Sequence, residues 1–225
     1  MKIVYLLDQL YIHGGGEKIV SLKMNALLKE PDYQVYFITT NQKNNKPVYN
    51  KDEKVNWNDL KINYKEKISY FHPINLLKII KHFFKLKSAI KHIKPDVIIS
   101  VSQSPDQFFL PFIDKKTPKI KEFHSSGVSI KKPTSLIKKL KYQLFLLYKK
   151  YTAIVVLHND EKKYYPFDNI VVIPNFIESK GRSIKPETQR ENIIIAAGRI
   201  APVKQFDHLI RAWSLIAHKF PNWEI

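Results

Sequence analysis

Three contiguous glycines, Gly14, Gly15 and Gly16, follow a short apolar run and lead through Glu17 into a helical pattern. Glycine lets the main chain approach a ligand closely, and unpaired amides at a helix start attract phosphate or carboxylate. The same three residues also serve a plain strand-to-helix turn without a ligand. They lack the G-x-G-x-x-G spacing, so a dinucleotide site has no support. A second turn, Gly198-Arg199-Ile200-Ala201-Pro202-Val203-Lys204-Gln205, again follows an apolar run and opens a helical pattern. An arginine and a lysine beside a helix start can clamp a diphosphate. The alternative is two solvated cations on a loop. His124, in Glu122-Phe123-His124-Ser125-Ser126-Gly127, sits at the end of another apolar segment, where a histidine serves either a site or the local structure.

The elements that must position these residues alternate. Short β-branched runs are predicted as strands over Lys2–Leu7, Gln34–Thr39, Asp96–Val101, Lys119–His124, Ala153–Leu157, Ile170–Ile173 and Ile193–Ala197. Amphipathic stretches predict helices over Glu17–Lys29, Ile74–Ile93, Pro105–Ile113, Thr134–Tyr151 and Val203–Lys219, with Pro133 and Pro202 near helix starts. This rhythm is that of an α/β fold built on an open parallel sheet, which binds ligands at the C-terminal ends of its strands. The polar segment 40–54 reads as a mobile loop. Residues 174–191 read as a linker between a domain over 1–173 and a new one beginning at 192. That second domain holds one strand, one helix and the stub Trp223-Glu224-Ile225, so it is expected to be incomplete and the chain inactive alone.

Charge narrows the partners. The chain has 225 residues and a net charge of +18, and residues 43–163 carry 26 basic and 10 acidic side chains, which is +16 of that total. A localised basic surface seeks nucleic acid, anionic lipid or phosphorylated substrates, whereas an evenly lysine-rich chain would only be solvating its surface. The chain has no arginine before Arg182, which argues against nucleic acid, since arginine is the usual fork for bases and phosphates. Two lysine-rich amphipathic segments, 74–93 and 134–151, offer Lys78, Lys81, Lys85, Lys87, Lys91, Lys131, Lys132, Lys138, Lys139, Lys141, Lys149 and Lys150 to an anionic membrane, although their apolar faces are also needed to cover a sheet. No apolar run is long enough to span a bilayer, and the short N-terminal run, followed by Asp8, does not read as a signal peptide. With no cysteine there is neither a disulfide framework nor a thiolate metal site, which suits a cytoplasmic setting.

Gly14-Gly15-Gly16-Glu17-Lys18, Val172-Ile173-Pro174-Asn175 and Gly198-Arg199 with Lys204-Gln205-Phe206-Asp207-His208-Leu209-Ile210 resemble, in order and spacing, the large retaining glycosyltransferase family four. Asp59-Leu60-Lys61-Ile62-Asn63-Tyr64 is similar to a segment of bacterial members that build surface polysaccharides. The resemblance implies the GT-B fold, with a Rossmann-like acceptor-side domain followed by the start of a Rossmann-like donor-binding domain. It implies transfer of a sugar from a nucleoside-diphosphate sugar, UDP- or GDP-linked, to a lipid-linked or polysaccharide acceptor, without a metal or other cofactor. No Asp-x-Asp metal motif occurs. By the same resemblance Arg199 and Lys204 neutralise the leaving diphosphate and Gly15 and Gly16 face it. His124 approaches the donor sugar, and Gly14, Glu17 and Asn175 border the cleft. Gln205 departs from the family's usual glycine, and the acidic Glu-x7-Glu segment that holds the donor would lie beyond Ile225. The competing reading is a non-catalytic basic remnant of such a fold that binds membrane or nucleic acid.

Overall fold

The apolar N-terminal run forms β1 (Lys2–Leu7), whose residues Ile3–Leu7 are all buried. It lies in the interior of a sheet completed by β2 (Gln34–Thr39), β3 (Asn56–Asp59), β4 (Val97–Ser100), β5 (Lys119–Glu122), β6 (Ala153–Val156) and β7 (Ile170–Val172). The seven strands run in the order β3-β2-β1-β4-β5-β6-β7. Every neighbouring pair is parallel, with Leu7 opposite Thr39 and Leu6 opposite Ser100. This is the doubly wound α/β architecture that the alternating pattern predicts. The order reverses between β1 and β4, and at such a switch point the loops leaving the two strands part to form a crevice. The computed structural model describes residues 1–49, 52–124, 136–176, 191–198 and 200–225, and the chain separates into two compact units, Met1–Phe176 and Ile177–Ile225.

Alternate side chains of β1 feed two cores, because successive residues of a strand point to opposite faces. Ile3, Tyr5 and Leu7 pack with Val20 and Met24 of α1 (Gly15–Leu27). Val4 and Leu6 pack with Leu86 and Ile90 of α2 (Pro73–Ile93). Helix α2 has a well-formed start and stop. His72 accepts the amide of Ile74 at 3.3 Å, Pro73 occupies the first position, and Lys94 turns left-handed at φ 52° with its amide on Ile90 O. Two short helices, α3 (Asp106–Phe109) and α4 (Leu136–Leu146), continue as single 3-10 turns over Leu110–Phe112 and Leu147–Lys150.

Several boundaries differ from expectation. The sequence pattern overlooks β3, a four-residue edge strand of Asn, Trp, Asn and Asp with no apolar alternation. The segment expected to be a mobile loop from residue 40 begins as fixed structure. Asn41 and Gln42 are buried, Asn41 Oδ1 accepts the amide of Tyr64 at 3.0 Å, and Gln42 Oε1 accepts that of Leu10 at 2.9 Å. The expected strand Ile193–Ala197 reduces to one parallel bridge between Ile193 and Glu224, and no second strand extends the pairing among the described residues. The expected helix over Val203–Lys219 is α5 (Phe206–Ile216), flanked by 3-10 turns at Pro202–Lys204 and Ala217–Lys219. No described residue of the second unit is buried, and Ile195 is 84% exposed. Thr134, Pro133, Lys131 and Lys132 lie outside the described residues.

His82 on α2 is fully buried beneath the sheet, with Nδ1 3.0 Å from Tyr64 Oη and Nε2 without a partner among the described residues. Burial pushes its pKa down to about 4, against a smaller upward pull from Asp8. The unfolded chain therefore takes up a proton near 6.5, whereas the folded ring resists until about 4. The resulting stability is full above the unfolded value and is lost as pH falls through this window, on the order of 3 kcal/mol. Urea unfolding is expected to show this acid limb in the wild type and to lose most of it in His82→Asn.

Candidate functional site

The first-unit candidates gather where the switch point places them, at the C-terminal ends of β1, β4 and β5. The chain leaves β1 through Asp8 and Gln9 and enters α1 at Gly14, which is extended at φ −124°, ψ 155°. Glu17, three residues into the helix, folds back across Gly14, so a Cβ there would stand 1.9 Å from Glu17 Oε2. Its carboxylate takes a hydrogen bond from Gln9 Nε2 at 2.7 Å, and Gln9 Oε1 accepts the amide of Ile12. This pins the loop. It also gives the positive helix end an anion of its own, so the helix start alone does not make a diphosphate site. Gly15 faces open space, with nothing within 4 Å of a Cβ built there. Gly16 meets the Cβ of His124 at 3.9 Å.

His124 is held by charge. Its Nε2 lies 3.1 Å from Glu122 Oε2, and the same oxygen accepts Lys23 Nζ from α1 at 2.9 Å. Burial alone would raise the Glu122 pKa, but the His124 hydrogen bond and the Lys23 charge outweigh it and hold the carboxyl below its usual range. Glu122 is therefore ionised at neutral pH and only accepts, so the proton sits on His124 Nε2. Its Nδ1 is buried without a partner among the described residues.

Beside this pair stands a cluster that sequence reasoning missed. The Asp8 carboxylate accepts Ser102 Oγ at 2.7 Å, Gln103 N at 3.0 Å and Ser104 N at 3.2 Å, fixing the loop after β4. Ser102 Oγ lies 2.7 Å from Asp106 Oδ1 as well. One hydroxyl carries one hydrogen, so one of the two carboxyls must hold a proton. Asp106 is the one, since it is 1% exposed and burial, with the Asp8 charge next, pushes its pKa up. Lys121 from β5 is also 1% exposed and donates to the carbonyl of Ser102. Burial pulls its pKa down while Asp106 and Asp8 pull it up. Lys121 and the 4%-exposed Lys119 are thus interior residues, and the basic excess of the middle segment is not all at the surface.

A groove of about 410 Å³ opens at the ends of β2 and β3, lined by Gln42, Asn44, Lys46, Trp57, Asp59 and Lys61 among others. Trp57 Nε1 donates to Thr39 Oγ1 at 3.1 Å, which in turn donates to Asp59 Oδ1 at 3.0 Å. Asn175 Oδ1 is buried without a partner among the described residues. In the second unit, Gly198 leaves room for its neighbours, with Phe206 and Lys204 side-chain atoms 3.3 and 3.4 Å from a built Cβ. Gln205, where the family pattern has glycine, adopts φ 51°, ψ 37°, the left-handed conformation that glycine takes most readily. Lys204 is exposed, and Arg199 lies outside the described residues.

No family model matches the chain. An uncharacterized glycosyltransferase of Haemophilus influenzae is 28% identical to it over 233 aligned positions, which cover 100% of this chain and 60% of that protein. The crystal structure of TarM superposes with a TM-score of 0.65 at 12% identity, covering 99% of this chain and 70% of TarM. The sheet is the Rossmann-like fold of GT-B glycosyltransferases. The lipopolysaccharide outer core galactosyltransferase WaaB, in its apo form, gives 0.53 at 15% identity over 86% of this chain and 51% of its own. The sucrose-phosphate synthase of Thermosynechococcus elongatus gives 0.52 at 13% identity, with 77% and 48% covered. The chain thus spans about 60% of the length of its curated relative and about half of these last two structures.

Proposed function

We propose that the chain is the acceptor-side domain and the beginning of the donor-binding domain of a glycosyltransferase. It would take a sugar from a nucleoside-diphosphate sugar, UDP- or GDP-linked, and pass it with retention to a lipid-linked or saccharide acceptor in cell-surface polysaccharide synthesis. The observation that carries the reading is the glycine turn, where Gly15 faces open space and Gly16 lies 3.9 Å from the Cβ of His124, whose buried Nδ1 has no partner among the described residues. A hydroxyl of the donor sugar suits that nitrogen, since a hydroxyl both donates and accepts. Arg199 and Lys204 would neutralise the diphosphate as it departs, since the Glu17-occupied start of α1 supplies no net positive charge. Asp8 is committed to three hydrogen bonds and Asp106 is buried as an acid, so neither serves as a covalent nucleophile. The groove floored by Trp57 offers the acceptor an apolar ring beside amide and carboxylate groups, a surface suited to a sugar. The excess of lysines supports a place on an anionic membrane at the inner face of the cytoplasmic membrane, where lipid-linked acceptors reside.

Gly15→Val tests the donor site. No described atom beyond the local chain lies within 4 Å of a Cβ built at Gly15, so the melting temperature is expected to hold. A ligand lying against that surface loses close approach, and the affinity of the complete enzyme for UDP- or GDP-sugars in calorimetry is expected to fall at least about tenfold. Unchanged affinity in a stable variant would move the donor elsewhere.

A further inference from the structure

Helix α2 turns one side to the sheet, and its buried residues Asn75, His82, Leu86, Ile90 and Ile93 mark that side. A helix that only covers a sheet carries polar residues on the side opposite. Here the opposite side is apolar. Leu77 is 70% exposed, Ile80 56% and Phe84 62%, and their spacing of three and four aligns them in one stripe. Ile74 at 40% and Phe71 at 44%, just ahead of the helix, extend it. Residues 70–94 contain six lysines and no acidic residue. Lys81, Lys85, Lys87 and Lys91 are exposed, although the ammonium groups of Lys78 and Lys85 are tied to the carbonyls of Asn63 and Leu60. The expectation that the hydrophobic residues of this segment are needed to cover the sheet thus holds for one side of the helix only.

We infer that α2 is a membrane-insertion surface, with Leu77, Ile80 and Phe84 entering the acyl boundary of an anionic bilayer and Lys81, Lys87 and Lys91 meeting its headgroups. An in-plane helix with an apolar stripe and flanking lysines has the composition that such a boundary requires. Charge decides against a second copy of this chain, because two such helices would bring like charges together with no acid between them. The inference rests on the membrane part of the reading above and on no step of the sugar transfer.

The chain has no cysteine, so Leu77→Cys and Phe84→Cys each carry a single environment-sensitive label, with Ala26→Cys on the opposite helix α1 as control. On phosphatidylcholine vesicles containing phosphatidylglycerol, the labels at 77 and 84 are expected to report an apolar setting and the label at 26 an aqueous one. Leu77→Asn and Phe84→Asn are expected to lower partitioning about tenfold each, an effect that persists in high salt. Lys81→Gln and Lys91→Gln are expected to lower it about fivefold each, an effect that salt removes. Wild-type partitioning in both Asn variants, or aqueous labels on bound protein, would overturn the role of α2 while leaving a charge-only attachment. A dimer that dissociates on Leu77→Asn would also overturn it. Absence of binding to any vesicle would overturn both the inference and the membrane reading, with sugar transfer still judged by Gly15→Val.

Discussion

In the complete enzyme, Arg199→Ala and Lys204→Ala are each expected to reduce sugar transfer by roughly 10²-fold, the scale seen when one stabiliser of developing charge is removed. The reason is differential. As the glycosidic bond breaks, the diphosphate gains negative charge, so a cation beside it interacts more strongly in the transition state than with bound donor. The loss should therefore appear in turnover at saturating donor more than in donor affinity. Lys204 is exposed and its side chain makes no hydrogen bond or ion pair among the described residues, so melting should be unchanged in its variant. Lys204→Arg retains the charge and is expected to recover part of the rate. Turnover close to wild type in both alanine variants would remove the diphosphate role from this turn.

The strands β1 and β2 were legible because they are buried on both faces and read as unbroken apolar runs. Helix α2 was legible to within a residue, since a proline starts it and its apolar period is long. Strand β3 was not, because a short polar edge strand is specified by its neighbour rather than by its own alternation. The site was legible in part. Glycine contiguity marked the turn into α1, and the pattern placed His124 after a strand. The partners of these residues were hidden. Lys-Ile-Lys-Glu reads as a charged segment, yet as β5 it buries both lysines and the glutamate, and only the sheet order shows that Asp8 and Asp106 lie beside Lys121 and that Lys23 reaches Glu122. No periodicity announces such a cluster, since its members come from three strand ends and two helices. The second unit shows the opposite failure. Its apolar run Ile193–Ala197 has strand composition, but a strand needs a partner, and one bridge to Glu224 does not make a ladder.

Lys121→Met is expected to destabilise the first unit by about 3–5 kcal/mol, the cost of breaking a buried charge arrangement by removing one partner. The cluster balances as one ammonium, one carboxylate on Asp8 and one acid on Asp106, with the single Ser102 proton dividing the two carboxyls. Methionine fills the space of the lysine stem but leaves the Asp8 charge without its cation and the Ser102 carbonyl without its donor. Asp106→Asn should behave differently. The native side chain is already the neutral acid, so its amide replacement is expected to cost little near neutral pH. The pH trend separates the two. Because folding raises the Asp106 pKa, its contribution is full below the unfolded value near 3.8 and is lost as pH rises through the raised folded value. Asp106→Asn carries no such loss, so its stability relative to wild type should improve as the pH climbs, whereas Lys121→Met should remain well below wild type at neutral pH. Urea midpoints across this range measure both. A Lys121→Met variant within about 1 kcal/mol of wild type would show that the buried ammonium is not what holds the two carboxyls together.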